Sequence, residues 1–228
     1  HSQSENRPPY DMLTFQLALK DKRPLRILCI GAHSDDIEIG CGGTILRLLQ
    51  ECGEAEVHWV VLGASGQRDA EALLSAHNFL AHARKKDVIV QNFKNSFFPY
   101  VGAEIKTFFE ELKETVSPDV IFTHYRNDLH QDHRLVSELT WNTYRNHLIL
   151  EYEVLKYDGD LGVPNFFVHL DASACQQKIS LILDCFQTQR EKDWFTSDAF
   201  WALLRLRGIE SKAPGKYAEG FYCRKVVL

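Results

Sequence analysis

The chain has 228 residues, enough for one well-packed α/β domain, and its 45% hydrophobic and 25% charged content is that of an ordinary globular protein. A net charge of −5 argues against a general nucleic-acid binder, which needs a basic surface to meet phosphates. No apolar run approaches the ~20 residues that span a bilayer, and the N-terminus lacks the basic and apolar regions of a secretory signal, so a cytoplasmic location is expected.

Residues 1–11 are polar, contain two prolines and precede the sole methionine, Met12. They read as a leader or expression scar, with a single domain expected over 12–228. From Arg26 onward, short β-branched runs alternate with segments of helical period. Strands are expected at 26–31, 56–62, 87–92 and 119–123, and helices at 43–51, 68–85, 103–115 and 132–147. Such alternation reads as βαβ units, a Rossmann-like, mostly parallel sheet flanked by helices. Further strands are expected at 151–158, 166–170 and 221–227, and further helices at 172–188 and 200–207. The six cysteines form no Cys-x-x-Cys pair and suit reduced core thiols better than disulfides or a structural metal site.

Two short segments carry chemistry. Ala32-His33-Ser34-Asp35-Asp36 follows the first expected strand, and His130-Gln131-Asp132-His133 follows the fourth. Ligands of parallel α/β sheets gather at the carboxyl ends of the strands, where both segments would arrive. A catalytic zinc takes three side-chain ligands and keeps one position open for water. Asp36, at the same three-residue spacing from His33 that separates His130 from His133, is the expected carboxylate ligand, with His33 and His133 as the imidazoles. Asp35 then remains to act as general base. His130, facing the same cavity as an imidazolium, would stabilise an oxyanion and protonate a leaving amine, and Asp132 would orient one imidazole. One Zn²⁺ per chain is expected, and a His₂Asp set also accepts Fe²⁺ or Co²⁺.

Neighbouring residues have plainer readings. Asp128 with Gln131 has the spacing of a capping box. The glycines of Gly40-Cys41-Gly42-Gly43 do not match Gly-x-Gly-x-x-Gly and suit close packing better than a nucleotide. Arg68, after the second strand, either reaches a substrate or pairs with Glu71, and His124, at the end of the fourth, is a candidate pocket residue.

Residues 32–44 together with His130-Gln131-Asp132-His133 resemble the LmbE/PIG-L family of zinc-dependent de-N-acetylases, with its Ala-His-Pro-Asp-Asp opening, Gly-Cys-Gly-Gly helix start and later His-x-Asp-His. The resemblance covers most of 26–147. It implies a Rossmann-like fold, zinc on His33, Asp36 and His133, a base at Asp35, a transition-state imidazole at His130, and removal of N-acyl groups from small-molecule GlcNAc-type conjugates. Ser34 replaces the family's usual proline. The loop Ser96-Phe97-Phe98-Pro99-Tyr100 lacks the acidic residue that members often carry there, which bears on substrate identity.

Two other readings compete. A metallo-β-lactamase-type dinuclear hydrolase has His-x-His-x-Asp-His where this chain has Asp128-x-His130-x-Asp132-His133, a difference that falls on a ligand. A non-catalytic sugar- or nucleotide-binding module would want a closed four-ligand metal site, and only three obvious ligands are present.

Overall fold

The structure is a computed structural model that describes residues 12, 14, 15, 17 and 23–227; the leader expected over 1–11 lies outside the described residues. Strand β1, Arg26–His33, is buried from its second residue onward. That continuous apolar run belongs to the middle of a parallel sheet covered on both faces. It lies between β2 (Glu56–Gly63) and β4 (Val120–His124), with Cys29 beside Trp59 on one side and Phe122 on the other. Strand β3 (Lys85–Val90) extends the sheet beyond β2, and β5 (Leu148–Tyr152) beyond β4, all parallel. The order is completed by β6 (Phe166–Leu170) and β7 (Tyr217–Cys223) as β3-β2-β1-β4-β5-β7-β6, where β7 is antiparallel to both its neighbours.

Alternate residues of β1 feed opposite cores, as the period of two requires. Ile27 and Cys29 pack with α1 (Asp36–Cys52), α2 (Gln67–Phe79), α5 (Ala172–Cys185) and α6 (Ser197–Glu210) through Ile45, Phe79, Ile182 and Leu204. Leu28 and Ile30 pack with α3 (Gly102–Thr115) and α4 (Gln131–Thr143) through Phe109 and Val136.

Several boundaries differ from expectation. Helix α1 starts at Asp36, seven residues before the expected 43, because its glycines lie inside the helix. A Cβ on Gly40 would stand 2.1 Å from the Tyr152 ring, and one on Gly42 2.6 Å from Phe79. The glycines therefore set how closely α1 lies on its neighbours. The strand expected at 151–158 is β5, ending at Tyr152; beyond it the chain turns inward to place Lys156 among carboxylates. The last strand, expected at 221–227, is β7 and ends at Cys223. Helix α4 stops at Thr143 instead of reaching His147, since Tyr144 leaves helical geometry at φ −112°, ψ 55°. Cys29, Cys41, Cys175 and Cys185 are buried free thiols. Among the described residues no helix is long and apolar enough to cross a membrane.

Candidate metal centre

The carboxyl ends of β1 and β4 bring the two motifs together. His33 is the last residue of β1, and after two intervening residues the chain enters α1 at Asp36. Asp36 closes this turn by accepting the His33 backbone N–H on Oδ2 at 2.7 Å. Asp35 occupies the N-cap position of α1 but makes no cap hydrogen bond. Its Oδ1 instead accepts from Arg68 Nη2 at 2.9 Å, while Arg68 Nε reaches Ser34 Oγ at 3.2 Å. Arg68 thus meets Asp35, whereas Glu71 is spent on the backbone N–H and hydroxyl of Thr188. On the other side His130 caps α4, its Nδ1 accepting the Asp132 backbone N–H at 3.2 Å, and His133 follows one turn on.

Three potential ligand atoms converge here. His33 Nδ1 lies 3.1 Å from His133 Nε2 and 3.2 Å from Asp36 Oδ2, and His133 Nε2 lies 3.4 Å from the same oxygen. A tetrahedral zinc with ligands at ~2.0–2.1 Å has ligand–ligand edges of about 3.3 Å. The far nitrogen of each ring is engaged: His33 Nε2 meets Asp132 Oδ2 at 3.1 Å, and His133 Nδ1 meets Asp128 Oδ2 at 3.0 Å. With those ring N–H groups donating to the carboxylates, the other two ring nitrogens and Asp36 Oδ2 face one another, an arrangement that suits a cation once the rings give up any second proton. The ligand atoms of His33, His130 and His133, and those of Asp36, His124 and His133, each fall within 4.8 Å of one another among the described residues. His124 Nε2 is occupied by the Ala32 backbone N–H at 2.9 Å, as His130 Nδ1 is by Asp132.

The electrostatics follow this geometry. Burial pulls the His133 pKa down, but the Asp36 and Asp128 carboxylates outweigh it and push it up to about 10. Burial raises Asp36, yet the surrounding imidazoles bring it well below the usual carboxylate range. Burial and the charge of His133 lower His124 to about 4 and also lower His130. Asp128 and Asp132 are both held below normal against burial, chiefly by their bonds to His133 and His33. These directions describe the metal-free site.

The structure corrects three expectations. His124 is fully buried behind Asp36, its ring stacked 3.9 Å from that of His133, and so does not reach substrate. Asp128 is not a capping-box residue: it accepts from His130 N at 2.8 Å and from His133, while Gln131 donates to Ser96 O. His130 Nδ1 accepts a backbone N–H, and burial with the nearby charge of His133 lowers its pKa, both of which favour the neutral ring over the expected imidazolium. His33, Asp35, Asp36, His130, His133 and Arg68 line one open cleft, with Asp132 behind His33.

The cleft also holds residues that no sequence pattern marked. Lys156 donates to Asp128 Oδ2 at 3.0 Å and to Asp160 Oδ1 at 2.6 Å. Lys192 and Trp194 line the cleft from the segment before α6, and Asn95 from the loop after β3. That loop is pinned by Asp132, which accepts from Ser96 N at 2.6 Å and Phe98 N at 3.1 Å, with Ser96 at φ 67°. These residues lie in irregular segments far from the motifs in sequence, where no period or spacing marks them.

The profile of the PIG-L family, described as GlcNAc-PI de-N-acetylase, matches residues 28–144. The uncharacterized deacetylase YaiS of Escherichia coli (strain K12) is 30% identical over 119 residues, covering 48% of this chain and 63% of YaiS. The chain thus matches less than two thirds of that relative's length. Among solved structures, the conserved protein TT1542 of Thermus thermophilus superposes with a TM-score of 0.70 at 21% identity, covering 90% of this chain and 96% of that one. The N,N'-diacetylchitobiose deacetylase of Pyrococcus horikoshii gives 0.63 at 20% identity over 87% and 83% of the two chains. The 4-carboxy-2-hydroxymuconate hydratase GalB of Pseudomonas putida KT2440 gives 0.66 at 17% identity over 90% and 98%. A fold shared by deacetylases and a hydratase leaves the reaction to be argued from the site.

Proposed function

The chain belongs to the PIG-L family of de-N-acetylases, and from that premise we propose that it hydrolyses the N-acetyl group of an amino-sugar conjugate of the GlcNAc type, releasing acetate and a free amine. The observation that carries this reading is the convergence of His33 Nδ1, Asp36 Oδ2 and His133 Nε2 at 3.1–3.4 Å beside two acid–base groups, Asp35 and His130.

His33, Asp36 and His133 would hold one divalent metal, Zn²⁺ by the chemistry of the set, with Fe²⁺ or Co²⁺ also suited. When bound, such an ion supplies Lewis acidity that acidifies water and polarises a carbonyl. The chain's residues supply the rest. Asp35, bonded to Arg68 through Oδ1, has Oδ2 left to take the proton of the attacking water. Arg68 holds that carboxylate in its rotamer. His130 donates towards the carbonyl oxygen as charge develops there, and the proton that Asp35 takes from the water is passed to the departing nitrogen before the C–N bond breaks. An amide nitrogen leaves poorly until protonated, so a base and a hydrogen-bond donor lining one cleft suit an amide.

The dinuclear alternative is disfavoured by the ligands themselves. The grouping that contains His124 shares Asp36 and His133 with the first, and its His124 Nε2 already accepts from Ala32. The test is incubation of the metal-loaded protein with a panel of N-acetylated sugars, free, nucleotide-linked and lipid-linked, with acetate and amine measured. Cleavage of phosphate or lactone esters without release of acetate, at two metals per chain, would replace this reading with the dinuclear one.

A further inference from the structure

We propose that Lys192 and Trp194 form a second subsite at the mouth of the cleft, which selects amino-sugar conjugates bearing a carboxylate or phosphate beyond the reacting ring. The identity of that ring rests on the deacetylase reading; the subsite itself rests on the following geometry.

Three cationic side chains other than histidine line the cleft, and two are committed. Arg68 is paired with Asp35 at 2.9 Å, and Lys156 with Asp128 and Asp160. Lys192 differs. Among the described residues its amine has no carboxylate partner, although Glu191 and Asp193 flank it in sequence, and its contact is with the face of Trp194, 5.4 Å from the ring centroid. An exposed ammonium over an indole keeps its hydrogens available, since the ring face offers charge attraction without taking a hydrogen bond.

The platform is anchored. Trp194 is half-buried, with its ring edge-on to the buried Phe195 at 5.7 Å, and Phe195 is in turn edge-on to Phe200 of α6. The segment is tied to the stretch that carries Lys156 where the Asp193 backbone N–H donates to Tyr157 Oη at 3.3 Å. That stretch leads back to the metal-binding residues through Lys156 and Asp128. A fixed aromatic face beside an uncommitted cation is suited to a polar ring with a negative substituent: the ring's C–H face lies on the indole and the anion takes the ammonium. Both residues lie outside the 28–144 stretch matched by the family profile.

Three N-acetylglucosamine probes that differ only beyond the anomeric oxygen test the proposal: the neutral methyl glycoside, the carboxymethyl glycoside and the 1-phosphate. In calorimetric titrations of the protein as purified, at least one anion is expected to bind about 5- to 10-fold more tightly than the methyl glycoside, between the value of an exposed ion pair and that of a charge-assisted hydrogen bond. Which anion binds better distinguishes a carboxylate from a phosphate source. Lys192→Met is expected to abolish the ratio, Lys192→Arg to preserve it, and Trp194→Ala to weaken all three probes. Equal binding of the probes by the unaltered chain, no measurable binding of any, or an unchanged ratio in Lys192→Met overturns the subsite. Acetate is measured in the same samples. Discrimination in binding without acetate release leaves the subsite standing and overturns the reaction, whereas acetate release without discrimination overturns the subsite alone.

Discussion

His133 gives its Nδ1 hydrogen to Asp128 Oδ2 at 3.0 Å, and its other nitrogen is thereby turned to the cleft, 3.4 Å from Asp36 Oδ2. Behind Asp128 stands Lys156, 3.0 Å from the same oxygen. Metal ligation by His133 would thus depend on a carboxylate whose own position is held by a cation. Asp128→Asn is expected to weaken metal binding about 10- to 100-fold, as loss of an outer carboxylate partner usually does. Competition against a chromophoric chelator measures it, and unchanged affinity would remove Asp128 from the metal centre.

His33→Ala and His133→Ala are each expected to purify without metal, where the unaltered chain carries one divalent ion per molecule by elemental analysis. Because the ion binds the folded state and not the assembled site's unfolded counterpart, chelation should also lower the thermal midpoint of the unaltered chain and leave that of the two variants unmoved. Full metal content in both variants would refute the ligand set.

Metal binding should strengthen with pH. In the metal-free site the carboxylates raise His133 to about 10, against burial, so at neutral pH the ring holds a proton that an incoming ion must displace. The apparent association constant is expected to rise about tenfold per pH unit for each proton released, from about pH 6 towards the His133 value, and then level off. Affinity that stays flat between about pH 6 and pH 9 would show that no such proton is displaced.

Asp35→Asn should keep the metal and lose turnover by about 10²-fold or more, the range for removal of a general base. The separation of roles rests on direction: Asp36 turns its Oδ2 to the imidazoles, whereas Asp35 turns to Arg68. Should Asp35→Asn empty the site instead, ligation belongs to Asp35 as well.

Glu38 of α1 is fully buried, and burial raises its pKa well above 4.5. The native state therefore keeps a proton that the unfolded chain has released. Its contribution to stability is complete below the unfolded value and is lost as pH rises through the folded one, by about 1.4 kcal/mol per pH unit within that window. Glu38→Gln should lack this slope, so its thermal midpoint should gain on that of the unaltered chain as pH rises from about 4.5 to 8. Parallel curves would show that Glu38 ionises normally in the fold.

The sequence by itself determined the parallel α/β core and the meeting of its two motifs at one edge. Both are written in local patterns: buried strands as continuous apolar runs, helices as a 3.6-residue period, and His33-x-x-Asp36 and His130-x-x-His133 as spacings that put two side chains on one side of a turn. The early start of α1 was not legible, because its glycines break the local helical signal and make sense only against Tyr152 and Phe79, which arrive from elsewhere in the chain. Only the tertiary structure decided which nitrogen of His33 and of His133 faces the cleft, since that choice is made by what the other nitrogen touches: Asp132 for His33 and Asp128 for His133. The contacts of His33 and His124 join residues 99 and 92 apart, and Lys192 and Trp194 reach the cleft from a segment with no periodic signal. Spacing and period are properties of neighbours along the chain, whereas tautomer, burial and the outer wall of a site are fixed by contacts across it.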